Sequence, residues 1–208
     1  MTRAILIRHG ETEWNRVERF RGQADLPLNA RGRRQAEALG LRLASYQPAA
    51  VYSSPLRRAV ETAQIMTHGL SLPVQPLEGL RDIDYGSWQG LSPKQAAQRF
   101  PDLWRLWQES PERLRFPGGE TLDEVRLRAY AALQEALVQH PGQATIAVVS
   151  HRVVCKLLLS TVLGLDSASF EQIGQDVAAL NMVETRGENL VVSLLNDTCH
   201  LRSGAGLS

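Results

Sequence analysis

The segment Arg8-His9-Gly10-Glu11-Thr12-Glu13-Trp14-Asn15 brings a fixed cation, an imidazole and a carboxamide together within eight residues. These are groups that would grip a tetrahedral dianion. A guanidinium offers a planar fork of donors, an amide adds a neutral donor, and an imidazole carries either a proton or a reactive lone pair. The apolar run Ala4 to Ile7 leads straight into Arg8-His9-Gly10, so His9 is expected where a buried strand opens into a loop. By itself, Arg-His-Gly also fits a hydrogen-bonded structural histidine. A second histidine, His151, follows the strand-like run Ala144 to Ser150 in the same manner.

The elements that must position these residues alternate along the chain. After the turn-rich stretch Asp25 to Asn29, Ala36, Leu39 and Leu43 recur at helical spacing, with Asn29 available as a cap. Ala49 to Ser53 reads as a second strand. Ser54-Pro55 then reads as cap and first helical residue ahead of Leu56, Ala59, Val60 and Ala63. Pro73 to Leu77 reads as a short third strand, followed by an irregular region from the loop Gly79 to Gly90 through Trp107. Thr121 and Glu124 form a capping-box pattern before a long helix through Leu137, ending at Pro141. Thr145 to Val149 is a further strand and Val153 to Leu163 a further helix, and Ala179 to Glu184 with Leu190 to Leu195 close the chain as a strand pair. This order predicts an α/β fold, a three-layer sandwich with a largely parallel central sheet. Ligands in such sheets sit beyond the carboxyl ends of the strands, which would bring His9 and His151 together there.

At 208 residues and 43% hydrophobic content, one domain over residues 1–208 is expected, with residues 79–118 forming a lid-like region. The 23 basic and 22 acidic residues nearly cancel, so no global field points to a nucleic-acid or membrane partner. Cys155 and Cys199 lack metal-type spacing and read as reduced thiols. The start, Met1 to Leu6, carries no signal region, and no long apolar run follows, so a cytoplasmic location is expected. The histidines at 9, 68, 140, 151 and 200 show no His-Glu-x-x-His or mixed Cys/His spacing, so metal-independent chemistry without a cofactor is expected. Whether the chain forms a homodimer stays open.

Extended to Leu6-Ile7, the first block resembles the histidine phosphatase superfamily, also called the phosphoglycerate mutase-like family. The likeness continues in order through Gly22 to Asn29, Ser53-Ser54-Pro55-Leu56-Arg57-Arg58-Ala59-Val60-Glu61-Thr62-Ala63, Gly118-Gly119-Glu120-Thr121 and Val148-Val149-Ser150-His151, ending near Asn196-Asp197. The resemblance implies a phosphoglycerate mutase-like fold and a phosphatase acting on a small phosphorylated metabolite through a phosphohistidine on His9. It also implies that Arg8, Arg58 and a protonated His151 surround the phosphoryl oxygens, with Asn15 as a neutral donor. Arg58 is chosen over Arg57 on the family's Leu-x-Arg-Ala pattern, matched by Leu56-Arg57-Arg58-Ala59. Adjacent helical residues point about 100° apart, so Arg57 is expected to face solvent.

The family's proton donor aligns with Asp82 in Leu80-Arg81-Asp82-Ile83-Asp84-Tyr85-Gly86, where the usual residue is Glu. An aspartate reaches roughly 1.5 Å less, so a closer loop, a bridging water, or a transfer of the task to Asp84 or Glu78 would follow. Arg21 stands where many relatives have Gln; it either reads a further negative group of the substrate or faces solvent. Arg152 stands where the family often has Gly, crowding the pocket or capping a helix. Trp88, Trp104, Trp107, Phe100 and Phe116 either select the alcohol part of the substrate or form a satellite core. A phosphoglycerate, phosphoserine and a nucleoside phosphate of cobamide synthesis are all open as substrates. The competing readings are mutase-type phosphoryl transfer and a noncatalytic phosphate-binding protein.

Overall fold

A computed structural model describes residues 1–187 and 189–202. Six strands form one sheet: β1 (Arg3–Arg8), β2 (Ala50–Ser53), β3 (Val74–Pro76), β4 (Thr145–Ser150), β5 (Leu180–Arg186) and β6 (Asn189–Asp197). Their order is β3-β2-β4-β1-β5-β6. The first four are mutually parallel, and β5 and β6 add on as antiparallel strands. The expected α/β sandwich with a largely parallel sheet is therefore what the chain forms.

Alternation within β1 shows why the run Ala4 to Ile7 is apolar throughout. Ala4 and Leu6 pack into a cluster with α6 (Leu122–Val138) and α7 (Arg152–Val162), while Ile5 and Ile7 pack into a second cluster with α2 (Ala30–Ala44) and α3 (Arg57–Met66). A strand covered by helices on both faces has no side chain to offer to water. Each such aliphatic side chain contributes about 1.5–3 kcal/mol by its burial. The helices also supply the crossovers that parallel neighbours require.

Two of the expected helix starts follow the local chemistry of the sequence, and a third is an exception. The Asn29 side chain accepts from Gly32 N at 2.8 Å to open α2, and Thr121 with Glu124 forms the capping box of α6. The exception is α3, which begins at Arg57 with Leu56 as its N-cap rather than at Ser54-Pro55. Ser54 is still in line with the sheet, its N–H bonded to Val149 O, and its hydroxyl is engaged by Leu56 N and His151. A single turn, α1 (Glu13–Arg16), closes the first block.

The stretch expected to be irregular contains two helices, α4 (Pro93–Arg99) and α5 (Pro101–Glu109), each opening on a proline. Ser92 and Gln95 cap α4 reciprocally, a signal present in the sequence. Trp88 and Phe116 are fully buried, and Trp88 stacks on Phe100 and Trp104. Phe116 meets Trp88 edge-on at 5.2 Å. Aromatic packing of this kind orders a segment that has no strand ladder. No described helix is long and apolar enough to cross a membrane.

Candidate active site

Arg8 and Ser150 are paired in register at the ends of the parallel neighbours β1 and β4, so the next residues, His9 and His151, emerge side by side. Their ring centroids lie 5.2 Å apart. The backbone of His9 is held on both sides, donating to Ser150 O and accepting from Ala178 N. Its Nδ1 lies 2.6 Å from Gly10 O. A carbonyl can only accept, so Nδ1 carries the hydrogen and Nε2 keeps its lone pair. Gly10 is demanded here by crowding: a Cβ would stand 2.5 Å from Gly32 O.

Arg58 reaches this lone pair from α3, its Nε donating to His9 Nε2 at 3.3 Å. Its other donors go to Ala24 O (2.8 Å), Gly22 O (2.7 Å) and Asp82 Oδ2 (3.0 Å). The Gly22–Ala24 block thus serves to hold Arg58 in place. Arg57, by contrast, faces outward and pairs with Glu61 on the same helix at 2.8 Å. Arg8 donates to Gln175 O through Nη1, while its buried Nε has no partner. Burial, together with the charges of Arg21 and Arg152, draws the Arg8 guanidinium down to about 9, which leaves it cationic at neutral pH.

In the unliganded chain the surroundings of His151 disfavour its cationic form. Burial first, then Arg58 and His9, push its affinity for a proton well below that of a free imidazole. Its Nε2 meets Ser54 Oγ at 2.7 Å, and its Nδ1 is buried, unpartnered and 3.8 Å from Asp82 Oδ2. His9 is depressed by the same causes, burial leading and Arg58 following.

The three carboxylates open to the acid role separate in space. Asp82 is 4% exposed, lies against Arg58 and His151, and lines a cavity of about 590 Å³ together with Arg8, Asn15 and Arg21. Asp84 spends Oδ1 on Gly86 N in a local turn, and Glu78 projects into solvent against Arg81. Neither lines the cavity. The Oδ1 of Asn15 accepts from both donors of Thr12, which leaves its amide N–H₂ as the group it can offer. Among the described residues, Arg21 makes only long contacts, 3.3 Å to Trp14 O and 3.4 Å to Arg19 O, and its buried Nε has no partner there. Its charge contributes to the depression of His9, His151, Arg8 and Arg58.

His9, Arg58 and His151 are 1%, 0% and 0% exposed and are not among the residues lining the cavity; Asp82, which lines it, connects to them through Arg58 and His151. Trp104 and Trp107 form part of the wall, so aromatic residues of the middle stretch serve both packing and the cavity. Arg152 and Glu171 also line it, 3.5 Å apart, and Glu171 bonds Lys156 at 2.8 Å. Sequence reasoning missed Ser54, Gln175 and Glu171. Ser54 carried a signal that was assigned to helix capping; the other two contribute through positions that only folding reveals. Among the described residues, no group of three or more His, Cys, Asp and Glu side chains is arranged to hold a metal ion.

The family model for the histidine phosphatase superfamily (branch 1) matches residues 4–198. The chain is 35% identical over 201 residues to phosphoserine phosphatase 1 of Hydrogenobacter thermophilus, covering 97% of this chain and 95% of that one. It is 34% identical over 207 residues to a metal-independent phosphoserine phosphatase of Arabidopsis thaliana, covering 98% and 84%. YhfR of Bacillus stearothermophilus superposes with a TM-score of 0.92 at 32% identity, covering 97% of this chain and all of that one. Matched by the family model over nearly its whole length, and sharing sequence and fold with these proteins, the chain belongs to the histidine phosphatase superfamily, branch 1, and is a phosphatase of that family.

Proposed function

We propose that this chain hydrolyses a small phosphorylated metabolite without a metal, through a phosphohistidine on Nε2 of His9. The observation that carries the reading is the 2.6 Å contact between His9 Nδ1 and Gly10 O, which leaves Nε2 as a lone pair beside Arg58. A neutral imidazole of this tautomer attacks phosphorus without a base. The orphaned Nε of Arg8 is a donor in want of an acceptor, and a phosphoryl oxygen would supply it. His151 becomes such a donor as its imidazole takes up a proton alongside the dianion.

Binding of the dianion exchanges Asp82 for a phosphoryl oxygen on Arg58. In the first step, the Nε2 lone pair forms the N–P bond, the P–O ester bond breaks, and the leaving oxygen takes the proton of Asp82. In the second, water attacks phosphorus, its proton passes to the Asp82 carboxylate, and the N–P bond returns its electrons to Nε2.

The relatives named for phosphoserine support a leaving group that carries charge. The cavity has the means to read one: Arg21 and Arg152 for a carboxylate, Asn15 for a further acceptor, Glu171 for an ammonium. O-phosphoserine is therefore the first substrate to assay.

Single-turnover quenching with a ³²P-labelled phosphomonoester tests the mechanism. The expected result is a transient, acid-labile label on His9 that vanishes in His9→Ala, with turnover unchanged by a chelator. A label elsewhere, or activity lost to the chelator and restored by a divalent ion, would overturn it.

A further inference from the structure

Asp82 sits on a segment with no ladder of its own, a single 3-10 turn (Glu78–Leu80) followed by irregular chain. Four consecutive carbonyls of this segment are nonetheless held by side chains from elsewhere. Arg128, on α6, donates from Nη1 to Gly79 O at 2.8 Å and Arg81 O at 2.7 Å, and from Nη2 to Asp82 O at 3.1 Å. Ser150 Oγ donates to Leu80 O at 2.8 Å. The two remaining N–H groups of Arg128 meet the carboxylate of Glu120, at 2.7 Å from Nε and 2.8 Å from Nη2. All five guanidinium donors are thereby used, which a lysine ammonium with three donors cannot reproduce.

Glu120 closes the arrangement from the other side. Its Oε2 accepts from Asp84 N at 2.9 Å, and its own N–H donates to Asp84 O at 2.9 Å. Such close apposition needs glycine next door, because a Cβ on Gly119 would stand 2.2 Å from Asp84 O. The backbone on either side of Asp82 is thus tied to the rigid start of α6.

We propose that Arg128, oriented by Glu120, is the positioning residue for the proton donor: it sets the distance from the Asp82 carboxyl to the leaving oxygen. Arg128 does not line the cavity, so it acts through Asp82 and not on the substrate. An aspartate lacks roughly 1.5 Å of the reach of a glutamate, and this fixed backbone supplies the placement that a longer side chain would otherwise reach for. The proposal rests on the reading of Asp82 as the acid.

The test compares kcat/KM for O-phosphoserine, a poor leaving group, with that for p-nitrophenyl phosphate, whose departure needs little protonation. Wild type, Arg128→Lys, Glu120→Gln and Asp82→Asn are measured in parallel, with thermal melts of each. Arg128→Lys and Glu120→Gln are expected to lower the alkyl ester about 10- to 100-fold and the aryl ester by less than about threefold. Equal losses on both esters, or no loss in folded variants, would overturn the positioning role. If Arg128→Lys melts below the assay temperature, Glu120→Gln decides in the same way. Should Asp82→Asn itself fail to discriminate between the esters, the acid assignment falls and the proposal with it. Discrimination by Asp82→Asn alone would remove only the role of Arg128.

Discussion

The imidazoles of His9 and His151 stand 5.2 Å apart with their planes tilted by 58°, each delivered by the last residue of one of two parallel neighbouring strands. Two titratable rings so close, both buried and both near Arg58, cannot easily hold protons in the free protein. Their neutrality has a measurable consequence.

The unfolded chain protonates each histidine near its ordinary value of 6.5, while the folded chain resists. The unfolded state therefore binds more protons as pH falls. Stability is fully present above 6.5 and is lost below it, at up to about 1.4 kcal/mol per pH unit for each ring. Thermal unfolding followed from about pH 8 to about pH 5 is expected to show this decline, and a His9→Asn/His151→Asn double variant a shallower one. The same slope in both proteins would place the acid sensitivity elsewhere.

Ser54 Oγ is the partner of His151 Nε2 at 2.7 Å and also accepts from Leu56 N at 3.3 Å. Ser54→Ala leaves a buried ring nitrogen unsatisfied and the imidazole free to turn. A loss of about 1–3 kcal/mol in stability is expected, with a fall in kcat of roughly tenfold as the phosphoryl donor is misaligned. Urea titration and steady-state kinetics measure the two effects; an unchanged kcat would show that the serine does not orient the ring.

Arg152 lines the cavity, and its described charged contact is the 3.5 Å approach to Glu171, which bonds more closely to Lys156 at 2.8 Å. Two cations sharing one carboxylate leave positive charge to spare. Arg152→Ala is expected to raise KM for O-phosphoserine about 10-fold or more and to leave p-nitrophenyl phosphate within about twofold. A KM that moves equally for both would assign the residue to the phosphoryl group or to packing.

Phe116 is fully buried and touches Tyr85, Trp88 and Trp107 at centroid distances of 4.9, 5.2 and 5.5 Å. Phe116→Ala is expected to cost about 3–5 kcal/mol. Equilibrium unfolding by tryptophan fluorescence would register it, and a cost under about 1 kcal/mol would mean that the aromatic cluster closes over the gap.

Residue order and type alone determined the strand–helix alternation, the two strand ends that carry His9 and His151, and the caps at Asn29 and Thr121. These are legible because burial periodicity and capping act over a few residues, within reach of a linear reading. Helix geometry showed only that Arg57 and Arg58 could not both enter one pocket; the choice of Arg58 came from the resemblance of Leu56-Arg57-Arg58-Ala59 to the family pattern. Tertiary structure decided what depends on distant groups: which of Asp82, Asp84 and Glu78 meets Arg58, that Ser54 serves His151 instead of opening α3, and that Trp104 and Trp107 reach the cavity wall. It also lowers the proton affinity of His151, because desolvation and the nearness of Arg58 exist only once the chain has closed around the ring.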